Sequence, residues 1–279
     1  MKKLIALILA VMMIACCFAG CQPSAPQETQ GDTQANTPAD TQAQEKTIVV
    51  GYTIYEPMNY QDEATGELIG FDTELAEAVF AKLGYKVMFQ LIDWGSKYTD
   101  LNAGTIDCVW NGFTCNTSDD DGVARADKVD FSYNYMENRQ VIVVKKDSGI
   151  AAAADLNGKM GAAEGGSAGE TYGQGFEGAS IKTFPYQTDC LMEVKAGTAD
   201  AAVLDWTLAM SMVGEGTDFA DLKMIDGVEL ATEEYGIAFR QGSDFTAKVD
   251  EAVKALVADG TLPALAEKYG LALAPAIAG

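Results

Sequence analysis

Apolar and polar positions change their spacing repeatedly along the chain. Leu4–Phe18 is one unbroken apolar run behind Met1-Lys2-Lys3. It is too short to span a bilayer and has the layout of a cleavable export leader. Residues 22–46 are dominated by Gln, Thr, Ala, Pro, Asp and Glu, with no aliphatic side chain larger than alanine. Such a segment buries too little apolar surface to offset its ordering entropy, so it reads as a disordered tether, on the order of 80–90 Å when extended. From Lys46 onward short apolar runs alternate with helical spacing. Strands are expected at 47–51, 85–92, 106–110, 140–145, 159–163, 181–186, 199–204 and 236–240. Asp72 is expected to cap a helix carrying Leu75, Val79 and Leu83 and ending at Gly84; further helices are expected at 245–258 and from Thr261 toward Tyr269. Alternation of this kind predicts an α/β fold with mostly parallel sheets flanked by helices.

One segment occurs twice. Ala103-Gly-Thr-Ile-Asp107 is echoed by Ala196-Gly-Thr-Ala-Asp200, each followed by an apolar strand. In both, a helix is expected to end on a glycine and turn into the strand, which predicts two lobes with similar sheets. The strands end near Asn111–Thr114 and at Asp205-Trp206. Ligands of open parallel sheets sit beyond such carboxyl ends, so these two ends are expected to face one another across a cleft.

Composition narrows the chemistry. The formal net charge is −22, and removing Lys2 and Lys3 with the leader makes it about −24. No basic stripe is present, so nucleic acid is not an expected partner. There is no histidine; zinc sites and histidine-based catalysis are disfavoured, and no metal or cofactor is expected. Cys16 and Cys17 lie in the leader. Cys108, Cys115 and Cys190 have no metal-ligand spacing and read as buried thiols in strands. Phe18-Ala-Gly-Cys21 resembles the bacterial lipobox, with Phe18 where an aliphatic residue is usual. The resemblance implies lipidation at Cys21, a leader over 1–20, a lipidated tether over 21–46, and anchoring to the outer face of a bacterial cell membrane.

Seven fragments stand in one order over about 220 residues: Tyr55-Glu-Pro57, Gly70-Phe-Asp72, Leu101-Asn-Ala-Gly-Thr-Ile-Asp107, Arg125…Val129-Asp-Phe131-Ser132, Asp200-Ala-Ala-Val-Leu-Asp205, Glu234-Tyr-Gly236 and Asp259-Gly-Thr261. Together they resemble solute-binding protein family 3, the amino-acid-binding proteins of ATP-driven (ABC) importers, with the two-lobed type II periplasmic-binding fold. The resemblance implies a first lobe of residues 47–136 plus 235–271 and a second of 137–234. Its hinge strands would lie near 135–139 and 233–235, and the molecule would be a monomer that delivers a free amino acid to an ABC permease.

It also implies roles. A zwitterion cannot be buried without a partner for each charge. Arg125 matches the α-carboxylate clamp, a task suited to the planar guanidinium fork. Asp205 matches the acceptor of the α-ammonium, with a helix N-cap as its plainer reading. Asn111, Gly112 and Thr114 match backbone and hydroxyl contacts, and Ser167 matches a hydroxyl contact from the second lobe. Tyr55 and Trp94 match aromatic walls around the ligand side chain. One departure matters: the stretch from Cys115 to Ala124, with Asp119-Asp-Asp121, is longer than the family's, and a bulge there would carry Arg125 out of reach. Arg139 and Arg240 are expected on outward strand faces. The bound side chain is expected to be polar and uncharged, with Asp93 or Glu164 as possible acceptors if it is cationic. A dehydratase on the same fold, or a binding protein for another small polar solute, is the alternative.

Overall fold

The computed structural model describes residues 45–278 except 227, 229 and 231. The leader, Cys21 and nearly all of the tether lie outside the described residues.

The strands are β1 (Lys46–Tyr52), β2 (Tyr60–Gln61), β3 (Leu68–Ile69), β4 (Tyr85–Leu91), β5 (Cys108–Thr114), β6 (Asp130–Phe131), β7 (Met136–Lys145), β8 (Met160–Glu164), β9 (Ser180–Phe184), β10 (Ala201–Asp205), β11 (Leu222–Met224) and β12 (Thr232–Phe239). The helices that matter are α1 (Phe71–Lys82), α2 (Lys97–Ala103), α3 (Ala168–Gln174), α4 (Gln187–Ala196), α5 (Trp206–Met212), α6 (Phe245–Ala258) and α7 (Thr261–Tyr269). This is a mixed α/β architecture of the type II periplasmic-binding kind.

Hydrogen bonding runs in the order β4-β1-β5-β12-β7-β10-β8-β9. Pairing is parallel in the flanks, where β1 lies between β4 and β5 and β8 between β10 and β9. It is antiparallel where β12 meets β5 and β7, and where β7 meets β10. The chain therefore builds one half with β1, β4 and β5, crosses along β7, builds the other with β8 to β11, and returns along β12. Residues 136–139 pair with 235–232 at the crossing. Glu137, Asn138 and Arg139 break the apolar run there, which is why the expectation began β7 four residues late.

The echo has a structural cause. Gly104 and Gly197 end α2 and α4 in the left-handed conformation, at φ 74° and 80°, which glycine adopts without steric cost. Thr105 and Thr198 each donate to the carbonyl five residues back, 3.0 and 3.1 Å. Asp107 and Asp200 then accept from a backbone N–H of the neighbouring parallel strand, Val49 at 2.8 Å and Met160 at 2.9 Å. One sequence device thus seats β5 beside β1 and β10 beside β8.

Three expectations need correction. Asp72 does not cap α1: Gly70 holds the cap position with φ 129°, and a Cβ there would fall 2.2 Å from the Met58 carbonyl oxygen. Asp72 is instead buried, accepting from Gly112 N at 2.8 Å and Tyr135 OH at 2.9 Å. Nor are all three free thiols buried in strands. Cys108 is buried in β5, but Cys190 is buried in α4 and Cys115 is half-buried just beyond β5. Arg240 is also tied inward, donating to the Leu101 and Ile106 carbonyls at 3.0 and 2.8 Å.

Candidate ligand-binding site

β5 is buried on both faces along its whole length, and Asn111, Gly112 and Thr114 at its end form the floor of a cavity. The strand runs through Thr114 rather than stopping at Trp110, because Phe113 and Thr114 pair with Gly236 and Tyr235 of β12. Gly112 has φ 57°, and a Cβ on it would meet Tyr55 Cε1 at 2.7 Å. Only glycine lets the strand bend while the tyrosine packs against it. The Asn111 side chain is held by its own half: it donates to Thr53 O at 2.9 Å and Asn59 Oδ1 at 2.7 Å.

Around this floor stand Tyr55, Trp94, Arg125, Glu164, Ser167, Ala168, Gln187 and Asp205, which with Asn111, Gly112 and Thr114 line a narrow cavity. All eight residues singled out in the sequence therefore meet at one cavity. Tyr55, beyond β1, shares a 2.6 Å hydroxyl contact with Tyr235. Trp94 packs edge-on to Phe113 with centroids 4.9 Å apart. Ser167 caps α3, its Oγ accepting from Glu170 N at 3.1 Å.

Arg125 is not displaced by the long loop. Residues 115–124 fold back as a hairpin, with Ser118 bridged to Ala124 and Arg125 N bonded to Thr117 O at 3.0 Å. The insertion returns the chain to its point of departure. Asp119 on its tip accepts from Arg125 Nε at 2.8 Å, which aims the far edge of the guanidinium inward. Nη1 donates to Thr114 O at 3.2 Å and Nη2 to Gly166 O at 3.4 Å. Burial alone raises the Asp119 carboxyl, but Arg125 and Lys128 outweigh it and hold the group below the ordinary aspartate range.

Asp205 occupies the N-cap position of α5, yet its side chain makes no capping bond. Its carboxylate accepts instead from Asn138 Nδ2 at 2.6 Å, Gln140 Nε2 at 2.7 Å and Gln187 Nε2. Among the described residues no cation pairs with it, and burial raises its pKa. Glu164 ends β8 as Asp205 ends β10; burial and the nearby Asp205 push its carboxyl up to about 8, and Oε1 has no partner. The same pattern, an apolar strand closing on a carboxylate, marks both, so Glu164 was within reach of sequence reasoning. Gln187 opens α4 directly after Pro185-Tyr186 and gives no such signal. Asp93, the other acceptor considered, bonds Gly95 N and is exposed.

The two halves touch over the cavity. Lys97 Nζ, buried over the rings of Trp94 and Tyr98, donates to Gly166 O at 3.0 Å. Burial and Arg125 depress its pKa to about 7. Thr171 Oγ1 donates to Asp120 at 2.5 Å, and Ser211 Oγ to Glu56 at 2.9 Å.

A guanidinium, a carboxylate with no cation partner among the described residues and two aromatic rings line one cavity, the complement that a small zwitterionic solute requires. Comparison with known proteins agrees. The chain belongs to the bacterial extracellular solute-binding proteins, family 3, whose model matches residues 48–272. It is 31% identical over 230 residues to the arginine-binding extracellular protein ArtP of Bacillus subtilis (strain 168), covering 80% of this chain and 86% of that protein. It is 30% identical over 228 residues to the L-cystine-binding protein TcyJ of Escherichia coli (strain K12), covering 80% and 82%. Among solved structures, a substrate-binding protein of an ABC uptake transporter from Streptococcus pneumoniae with bound histidine matches with TM-score 0.72 and 32% identity, over 80% of this chain and 92% of that one.

Proposed function

We propose that the protein captures one free L-amino acid in this cavity and presents it to the permease of an ABC importer. The observation that carries the reading is the convergence of Arg125 and Asp205, from opposite halves of the molecule, on one buried cavity. Arg125 clamps the α-carboxylate through Nη1 and Nη2, while Asp205 takes the α-ammonium and gains the cation it lacks. Thr114 and Ser167 supply hydroxyl contacts, Asn111 and Gly112 backbone ones, and Tyr55 and Trp94 cover the side chain. Glu164, buried with a free oxygen, favours a side chain that ends in a hydrogen-bond donor. This widens the uncharged polar ligand expected from the sequence to include cationic ones such as arginine and histidine.

Capture proceeds by hinge closure. Residues 47–136 and 235–271 move as one lobe and 137–234 as the other, with β7 and β12 as the hinge. A ligand bonded to both lobes only when they meet favours the closed state by its differential affinity. The protein is a binding protein and not an enzyme, acting as a monomer outside the cytoplasm and held to the membrane through Cys21.

The test is a thermal-shift screen of residues 22–279, unfolded and refolded to strip bound solute, against the twenty amino acids and cystine. A ligand that binds only the folded state raises the melting temperature. A rise with one or a few L-amino acids is expected, and silence across the panel would sink the reading.

A further inference from the structure

Behind Asp205, on β12, lies a second buried carboxylate that the proposed capture of the amino acid does not use. Glu233 is 1% exposed. Its Oε2 accepts from Asn138 Nδ2 at 2.8 Å and from Gln140 Nε2 at 3.0 Å, the same two amide groups that serve Asp205 Oδ1, and from Thr114 Oγ1 at 3.3 Å. Two amides that each bridge both oxygens hold the carboxylates roughly 5 Å apart. Two negative charges at that separation, out of water, repel strongly and favour retention of one proton. The cluster is also short of donors: Glu233 Oε1 and Gln140 Oε1 are both buried without a partner.

We propose that Asp205 and Glu233 share one proton in the unliganded protein and release it to solvent when an ammonium group enters beside Asp205. The inference rests on the reading of Asp205 as the ammonium partner. The step is one ionisation: a carboxylic acid O–H breaks, its proton passes to water or buffer, and the incoming ammonium replaces the lost positive charge.

The other titratable groups facing the pair do not supply that charge. Tyr55 and Tyr235, bonded to one another, and Tyr172 of α3 are held neutral, all three pushed above the ordinary tyrosine range by burial. Glu164 of β8, pushed up to about 8 by burial, is itself protonated below that value and brings no positive charge. Arg125 is the facing cation, and its Nε already pairs with Asp119. Burial first, then Asp205, raises Glu233 to about 7. Release therefore falls within the physiological range, and affinity rises with pH up to that point and levels off above it.

The test titrates L-arginine, L-histidine, L-glutamine and L-cystine calorimetrically at about pH 6, in buffers of high and low ionisation enthalpy. For whichever binds, wild type releases close to one proton, and its Kd falls by about tenfold per pH unit below the pKa of the pair. Glu233→Gln abolishes most of the release and leaves Kd nearly flat with pH. Equal release by both proteins, or none by wild type, overturns the proposal. Infrared spectra of the wild type supply a readout that does not depend on the variant folding. Asp72 and Glu164 contribute protonated-carboxyl bands of their own at this pH, so the band of the pair is the component that disappears on binding and is missing from Glu233→Gln. Absence of that band overturns the shared proton even where the amino acid binds normally. The band present with no binding by any of the four overturns the ammonium assignment instead, and the release step with it.

Discussion

Arg125 illustrates how a single side chain is prepared for a ligand. Its Nε is anchored by Asp119 and its guanidinium carbon lies over the Phe113 ring, so the two terminal nitrogens face the cavity at little further entropic cost. Replacing it by alanine leaves Asp119 half-buried with Lys128 as its remaining partner, so the fold persists while the α-carboxylate loses its clamp. Arg125→Ala is expected to weaken binding at least tenfold in calorimetry, and so is Asp205→Asn. Arg125→Lys rescues little, since a lysine cannot offer the paired donors of a planar fork. Unchanged affinity would remove that residue from the site. Asp205 was legible because a carboxylate closing an apolar strand stands out, and Arg125 because the family resemblance marked it. Asp119 was not: within Asp119-Asp-Asp121 nothing distinguishes the carboxylate that turns inward from the one that reaches Thr171. Glu233 was hidden for another reason. It precedes the apolar part of β12 beside Glu234, and only the pairing with β7 shows which glutamate is buried.

At the scale of elements, the repeated Gly-Thr-x-Asp turn does the same mechanical work in each half. It stops a helix, and its aspartate fastens the next strand to a parallel neighbour. Asp107→Ala and Asp200→Ala each remove a side-chain bond to a strand amide, at a cost of about 1–2 kcal/mol in urea unfolding. Asp107→Ala is the dearer, since that carboxylate also meets Arg240 at 3.4 Å. The two losses should add in the double variant, because the turns share no partner. A loss below a few tenths of a kcal/mol in both single variants would show that backbone pairing alone fixes the register. Repetition is also what made this level readable. The helical stretch 245–258 was placed to the residue by its apolar face, whereas α3 and α5, seven residues each, carry too little periodicity to stand out. The crossing strands fall between these cases: their polar residues disguise them, and the family resemblance marked them where the hydrophobic pattern did not.

For the whole molecule, the buried carboxyls impose a pH dependence that its surface does not. Burial raises Asp72 to about 7, Glu233 to about 7 and Glu164 to about 8. In the unfolded chain the same groups titrate near ordinary carboxylate values. Between about pH 4 and 8 the folded state therefore binds more protons than the unfolded state, and stability falls as pH rises through that window. Lys97 acts in the opposite sense. Its pKa is lowered by burial to about 7, so above that pH the unfolded chain holds the extra proton and the decline levels off. On the acid side, Asp62, Asp121 and Asp155 have depressed values, and their stabilisation is lost as pH falls through them. An optimum near pH 4 follows for the unliganded protein. Melting temperature should then fall on the order of 5–10 °C by pH 8, corresponding to a few kcal/mol. General repulsion among the 41 acidic residues would give a similar slope, but salt screens exposed charges and hardly reaches buried ones. The decline is therefore expected to survive in half-molar salt and to shrink with Glu233→Gln. A slope that vanishes in salt would assign it to the surface, and the interior carboxyls would then be ionised in the folded protein.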